Sequence, residues 1–188
     1  MKNFKLKDIL IPTVALLIIC LVSTTLLAVT NNVTKEKIAL NAVETEKASR
    51  MLVLPEGKQF GQVTDLGEGL TYCEGTNDSG DIAGYVFTSG AKGYGGTVSV
   101  MIGIDTEGTI TGVEILSHSE TPGLGANSVK PEFKSRFVGK SGTLTVDKNS
   151  NEGQNIQAIT AATITSKAVT SAVNAATAAF DQITGGAK

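Results

Sequence analysis

Residues 159–167 read "ITAATITSK", placing Thr160, Thr163, Thr165 and Ser166 just ahead of an alanine-rich segment with helical periodicity. One hydroxyl is enough to cap a helix. The free N–H groups and the dipole at a helix start also favour an anion, and phosphate is the obvious one. Ala161 and Ala162 are small enough to let a bulky group approach the backbone before Thr163. Capping and phosphate binding both remain open on this stretch alone. Two other stretches stand out: "AKGYGG" at 91–96 and "HSETPGLG" at 118–125. Each reads as a glycine-bent turn carrying polar or aromatic side chains.

Composition narrows the chemistry. A formal net charge of −2 gives no electrostatic reason for a nucleic-acid partner. With one His (His118) and two Cys (Cys20 and Cys73, the former within an apolar run), no metal, haem or iron–sulfur centre is expected. Redox work would therefore need an organic cofactor. No disulfide within the soluble part is possible.

The elements that must position these residues begin with an anchor. Ile9 to Thr30 carries no charge, and about 22 residues at about 1.5 Å each match the roughly 30 Å hydrocarbon core of a bilayer. Pro12 falls in the first turns of this span, where its missing N–H costs least. The leader 1–8 holds Lys2, Lys5 and Lys7 against Asp8, so the N-terminus is expected in the cytoplasm and the rest of the chain outside. The run is longer than a signal-peptide core, which favours a retained single-pass anchor in the cell membrane. Residues 31–54 read as a helical linker ended by "PEGKQF", and residues 55–188 as one extracytoplasmic domain.

Within that domain, strands are expected at 81–89, 95–105 and 108–118, as an antiparallel meander with "DTEG" (105–108) as a hairpin turn. A short helix is expected in 128–139 with Pro131 in its first turn, then a strand at 143–146 and a loop over "DKNSNEG". The last helix is expected at 165–183, with Val169, Val173, Ala176 and Phe180 as its apolar stripe and "TGGAK" as its end. The fold class is α+β: a small antiparallel sheet packed with helices, preceded by one transmembrane helix.

"TAATITS" resembles the Ser/Thr-Gly-Ala-Thr-x-Thr/Ser motif of FMN-binding domains, in which a flavin transferase joins the phosphate of FMN to the threonine. "AKGYGG" followed by "VSVMIGID", and "HSETPGLG" followed by "FKSRF", agree with it in the same order. With the anchor and the length, nearly the whole chain resembles the G subunit of the Rnf ion-translocating electron transport complex. The C subunit of the sodium-translocating NADH:quinone reductase shares the flavin domain.

The resemblance implies FMN bound covalently to Thr163, which would make the chain a phosphoprotein in the chemical sense. It also implies an isoalloxazine lined by Glu120, Thr121, Gly123, Leu124 and Gly125, with Tyr94 and Gly95 opposite and Ala162, Thr165, Ser166 and Lys167 around the attachment point. Tyr94 either flanks the ring or packs on the core; Lys167 either pairs with the phosphate or faces solvent. No catalytic acid is expected, because flavin electron transfer needs positioning and potential tuning more than proton donation. Two positions depart from the family pattern: Ala161 stands where glycine is usual, and Gln157 where an acidic residue is common. The extra methyl is harmless at negative φ but costs about 1 kcal/mol or more in a left-handed backbone.

The expected function is electron carriage in a membrane complex linking ferredoxin and NAD+ to Na+ or H+ translocation, with the other Rnf subunits and a flavin transferase as partners. The span has no interior carboxylate, so an ion path must come from those partners. Two alternatives stand beside this. One is the quinone-reductase subunit, distinguished by co-purifying neighbours. The other is an anchored sensory or scaffold domain that binds no flavin, distinguished by absence of absorbance near about 450 nm.

Overall fold

The computed structural model describes residues 6–185, so the leader lysines Lys2 and Lys5 and the last three residues of "TGGAK" lie outside the described residues. The chain divides into two compact units, Met1–Glu44 and Thr45–Lys188. A single helix, α1 (Leu6–Val53), occupies the expected span and linker. Its stretch Ile9–Lys35 is long and apolar enough to cross a membrane, and it exposes its side chains. The threonine hydroxyls there are satisfied within the helix: those of Thr13, Thr24, Thr25, Thr30 and Thr34 each donate to the carbonyl four residues back, at 2.7–2.9 Å. Because α1 starts at Leu6, Pro12 lies inside the helix rather than at its edge and leaves one backbone bond unmade.

The second unit is built on one antiparallel sheet. Its strands are β1 (Gln59–Phe60), β2 (Thr64–Gly67), β3 (Leu70–Thr76), β4 (Ile82–Lys92), β5 (Thr97–Asp105) and β6 (Ile110–Ser117). The order is β1-β3-β4-β5-β6, with β2 also pairing β3. The meander β4-β5-β6 has its turn at Asp105–Gly108, where the Asp105 carboxylate accepts the amides of Glu107 and Thr109. Sequence reading missed β1, β2 and β3. "TDLG" is exposed throughout and "LTYCEGT" is mostly polar and only partly buried, so neither shows the apolar alternation that marks a half-buried strand.

β5 is buried on both faces and shows the period of two clearly. Val98, Val100, Ile102 and Ile104 join the main core under the last helix, α3 (Thr163–Ile183). Met101, between them, joins a second cluster with Val53, Leu54, Cys73 and Val86. The α3 stripe of Val169, Val173, Ala176 and Phe180 is buried as expected, with Phe180 edge-on to Tyr85 at 5.6 Å between centroids. On the opposite face, Gly103 and Gly112 are cross-strand partners, and a methyl on either would overlap the Val53 backbone. The Thr111 hydroxyl closes this contact by donating to the Val53 carbonyl. The end of α1 is thus seated in a trough that only glycine leaves open.

A 3₁₀ turn (Gly125–Val129) and α2 (Pro131–Lys134) follow β6, with Pro131 at the first helical position. They cover β6 through the Lys134–Glu114 ion pair at 2.6 Å. The strand expected at 143–146 is β7 (Thr145–Asp147). It does not extend the main sheet but pairs in parallel with β8 (Asn155–Gln157), a strand absent from the sequence reading. The loop between them is short for a parallel connection. It is held by the Asp147 carboxylate, which accepts the amides of Asn149 and Ser150, and by the Lys140 ammonium, which donates to the carbonyls of Asn151 and Gly153.

Candidate functional site

Three segments converge at one end of the sheet: the β4–β5 hairpin tip (Gly93–Gly96), the loop after β6 (His118–Gly125), and the first turn of α3 with the loop before it. Between them lies a cleft of about 530 Å³, lined by Tyr94, Glu120, Thr121, Leu124, Gly125 and residues 161–165. That size falls within the roughly 300–1,000 Å³ of ligand pockets. Its rim is apolar and open, with Tyr94 73% exposed and Leu124 and Ile164 also exposed.

α3 begins two residues earlier than its periodicity suggests, which makes Thr163 its first residue. No threonine or serine caps it: the cap position is Ala162, with φ −133° and no side-chain hydrogen bond. Ser166 acts as a local staple instead. Its buried hydroxyl accepts the Ile159 amide at 2.9 Å and donates to the Ala162 carbonyl at 3.0 Å. Thr163 is half-buried on the cleft wall, and its hydroxyl makes no hydrogen bond among the described residues. The amides of Thr163, Ile164 and Thr165 belong to the first turn and lack intrahelical partners. Ala161 has φ +59°, the left-handed conformation in which a methyl is costly.

Glu120 is the buried anion of the site, 6% exposed. Its carboxylate accepts the Gly95 amide at 2.9 Å and the Thr165 hydroxyl, and its own amide donates to His118 Nδ1 at 3.2 Å. Burial pushes this carboxyl upward. The hydrogen bonds from the Thr165 hydroxyl and from the Gly95 and Tyr94 backbone, with the His118 imidazole nearby, outweigh burial and hold it below the ordinary glutamate value. Close approach explains two of the glycines. A methyl on Gly95 would strike the Ser119 carbonyl, and one on Gly125 would strike both the Glu120 carboxylate and the Thr165 hydroxyl.

Of the residues singled out in the sequence, Thr163, Glu120, Thr121, Leu124, Gly125, Tyr94, Ala162 and Thr165 line the cleft. Gly95 sits behind its wall, bonded to Glu120. Gly123 does not line it. With φ +79° it shapes the loop and borders a second cleft of about 560 Å³, across the Ala161 turn, which also includes Lys130, Arg136 and Gln157. Lys167 is exposed, and Ser166 is buried outside the lining. Tyr94 is not a core residue. Sequence reading missed Ala161 and Ile164 as lining residues. The signal for Ile164 was legible, since an isoleucine five positions before Val169 is off the buried stripe of α3.

A cleft with apolar rims and a helix N-terminus beside an unpartnered hydroxyl has the shape of a binding site, offering apolar surface at its rim and free amides at the helix start. Comparison with known proteins narrows this: the FMN-binding domain family matches residues 93–178, and the RnfG N-terminal region matches residues 1–50. The chain is 33% identical over 172 residues to the G subunit of the proton-translocating ferredoxin:NAD(+) oxidoreductase complex of Clostridium ljungdahlii, covering 91% of each chain. It is 38% identical over 177 residues to the G subunit of the Na(+)-translocating ferredoxin:NAD(+) oxidoreductase complex of Acetobacterium woodii, covering 85% of each. The crystal structure of Shewanella oneidensis NqrC superposes with a TM-score of 0.53 at 18% identity, over 69% of this chain and 70% of that one, and shows a shared fold. The chain belongs to the RnfG family of ion-translocating complex subunits.

Proposed function

We propose that Thr163 carries FMN through a phosphoester bond, and that the chain relays electrons as one subunit of a membrane complex. That complex would couple electron transfer between ferredoxin and NAD+ to Na+ or H+ translocation. The observation that carries this reading is the position of Thr163: first residue of α3, on the cleft wall, with no hydrogen-bond partner among the described residues. The three unpaired first-turn amides favour the phosphate. Tyr94, Leu124 and Ile164 offer apolar surface to a flat ring system, and Glu120 and Thr121 offer polar edges.

In the attachment step, the Thr163 Oγ–P bond forms and a pyrophosphate P–O bond of a flavin dinucleotide donor breaks. The nucleoside monophosphate leaves with the bonding pair, and the hydroxyl proton is lost to a base on the transferase. Bound FMN supplies acceptance and release of electrons one at a time. The chain itself holds the ring against the cleft, keeps the phosphate at the helix start and ties the cofactor to the anchor. The soluble unit lies outside the cell membrane with the N-terminus in the cytoplasm, following the lysine-rich leader.

The test is intact-protein mass spectrometry of the full chain co-expressed with a flavin transferase. An addition of roughly 438 Da is expected, FMN less one water. Peptide fragmentation should place it on Thr163, and Thr163→Ala should abolish it while leaving the fold intact. Label on Thr160 or Thr165, or no label beside a labelled control acceptor, would refute the reading.

A further inference from the structure

Little in the immediate sequence around Thr163 holds that residue to the cleft. The cap residue Ala162 has no polar side chain, the first turn of α3 has no acidic residue, and Ala161 sits in a strained conformation. The Ser166 hydroxyl binds only Ile159 and Ala162, within its own loop. The side-chain tie from this turn to the opposite cleft wall is Thr165 to Glu120, across 45 positions of sequence. The other carboxylate oxygen of Glu120 takes the amide of Gly95, 25 positions away. One carboxylate therefore joins all three segments of the site, and Gly125 lacks the side chain that would push it out.

The Gly95 amide can only donate, and the Thr165 hydroxyl donates to the other oxygen in this geometry. A glutamine could keep both contacts by reversing the Thr165 bond, because a hydroxyl also accepts, whereas a leucine offers neither oxygen, and an aspartate is one methylene too short to span the gap. Thr165 is 1% exposed and Glu120 6%, so neither presents surface to a second protein.

We infer that Glu120 is the positioning residue for flavin acceptance. Acting through Thr165, it fixes the first turn of α3 so that the Thr163 hydroxyl is presented at the cleft. This rests on Thr163 being the acceptor. Because the tie is buried, loosening it slows transfer from the docked transferase without weakening docking.

The test uses the full-length chain as acceptor for a purified flavin transferase and its flavin dinucleotide donor, at a temperature where circular dichroism shows each variant folded. Thr165→Val and Glu120→Leu are expected to lower kcat by about tenfold or more, as misplacement of a reacting group does, with KM for the acceptor chain within about twofold. Thr165→Ser, which keeps the hydroxyl, is expected to restore kcat to within about threefold. If Glu120→Leu fails to fold, Thr165→Val against Thr165→Ser decides alone. Parental kcat in Thr165→Val, equal slowing in Thr165→Ser, or a raised KM at unchanged kcat would each overturn the inference. If the parent chain takes no flavin while a control acceptor does, the acceptor role of Thr163 is refuted and the inference falls with it.

Discussion

Replacing Ala161 with glycine should stabilise the soluble unit, and the size of the effect follows from its backbone. Ala161 holds φ +59°, where an L-residue other than glycine carries a penalty of about 1–2 kcal/mol. Its methyl is exposed at the junction of two clefts and contributes little burial to offset that penalty. Glycine also loosens the unfolded chain, which takes back about 0.4–1 kcal/mol. The net expectation is a gain of about 0.5–1 kcal/mol, or about 1.5–3.5 °C in Tm for a unit of this length. Thermal unfolding of the full chain in detergent, followed by circular dichroism, reads it directly. Ala168→Gly, a buried position inside α3, is the control and should lose about 1 kcal/mol. If Ala161→Gly is destabilised as much as Ala168→Gly, Ala161 is not left-handed in the folded protein and the reasoning fails.

Three further outcomes are expected. Gly103→Ala places a methyl against the Val53 carbonyl and should cost about 1–3 kcal/mol, read as a lowered Tm; parental stability would mean that the α1 end does not sit in the trough. Glu120 is held below its ordinary value in the folded state, so its contribution is present above the unfolded pKa of about 4.3 and is lost as pH falls through the folded value. Glu120→Gln should therefore flatten the acid side of a Tm-against-pH curve, leaving the part due to Asp147, whose carboxylate is lowered by the amides of Asn149 and Ser150. Protease added to intact spheroplasts should remove the soluble unit; complete protection of that unit would reverse the proposed orientation.

The sequence by itself determined what depends on near neighbours. An uncharged run of this length matches the thickness of a bilayer, so the span at 9–30 was legible. The period of two in 97–105 and the stripe Val169, Val173, Ala176, Phe180 marked the central strand and the covering helix because each face repeats within a few residues. Thr163, Glu120 and Tyr94 were legible as candidates through their local motifs. Only the tertiary structure decided how distant segments share one space. It made Glu120 a tie between Gly95 and Thr165, removed Gly123 from the cleft lining, gave Ser166 a local partner and set β7 beside β8 instead of on the main sheet. It also decided the sign of φ at Ala161. An alanine is compatible with either sign, and the choice there is made by the turn that must bring Thr163 to the start of α3, not by the residue itself.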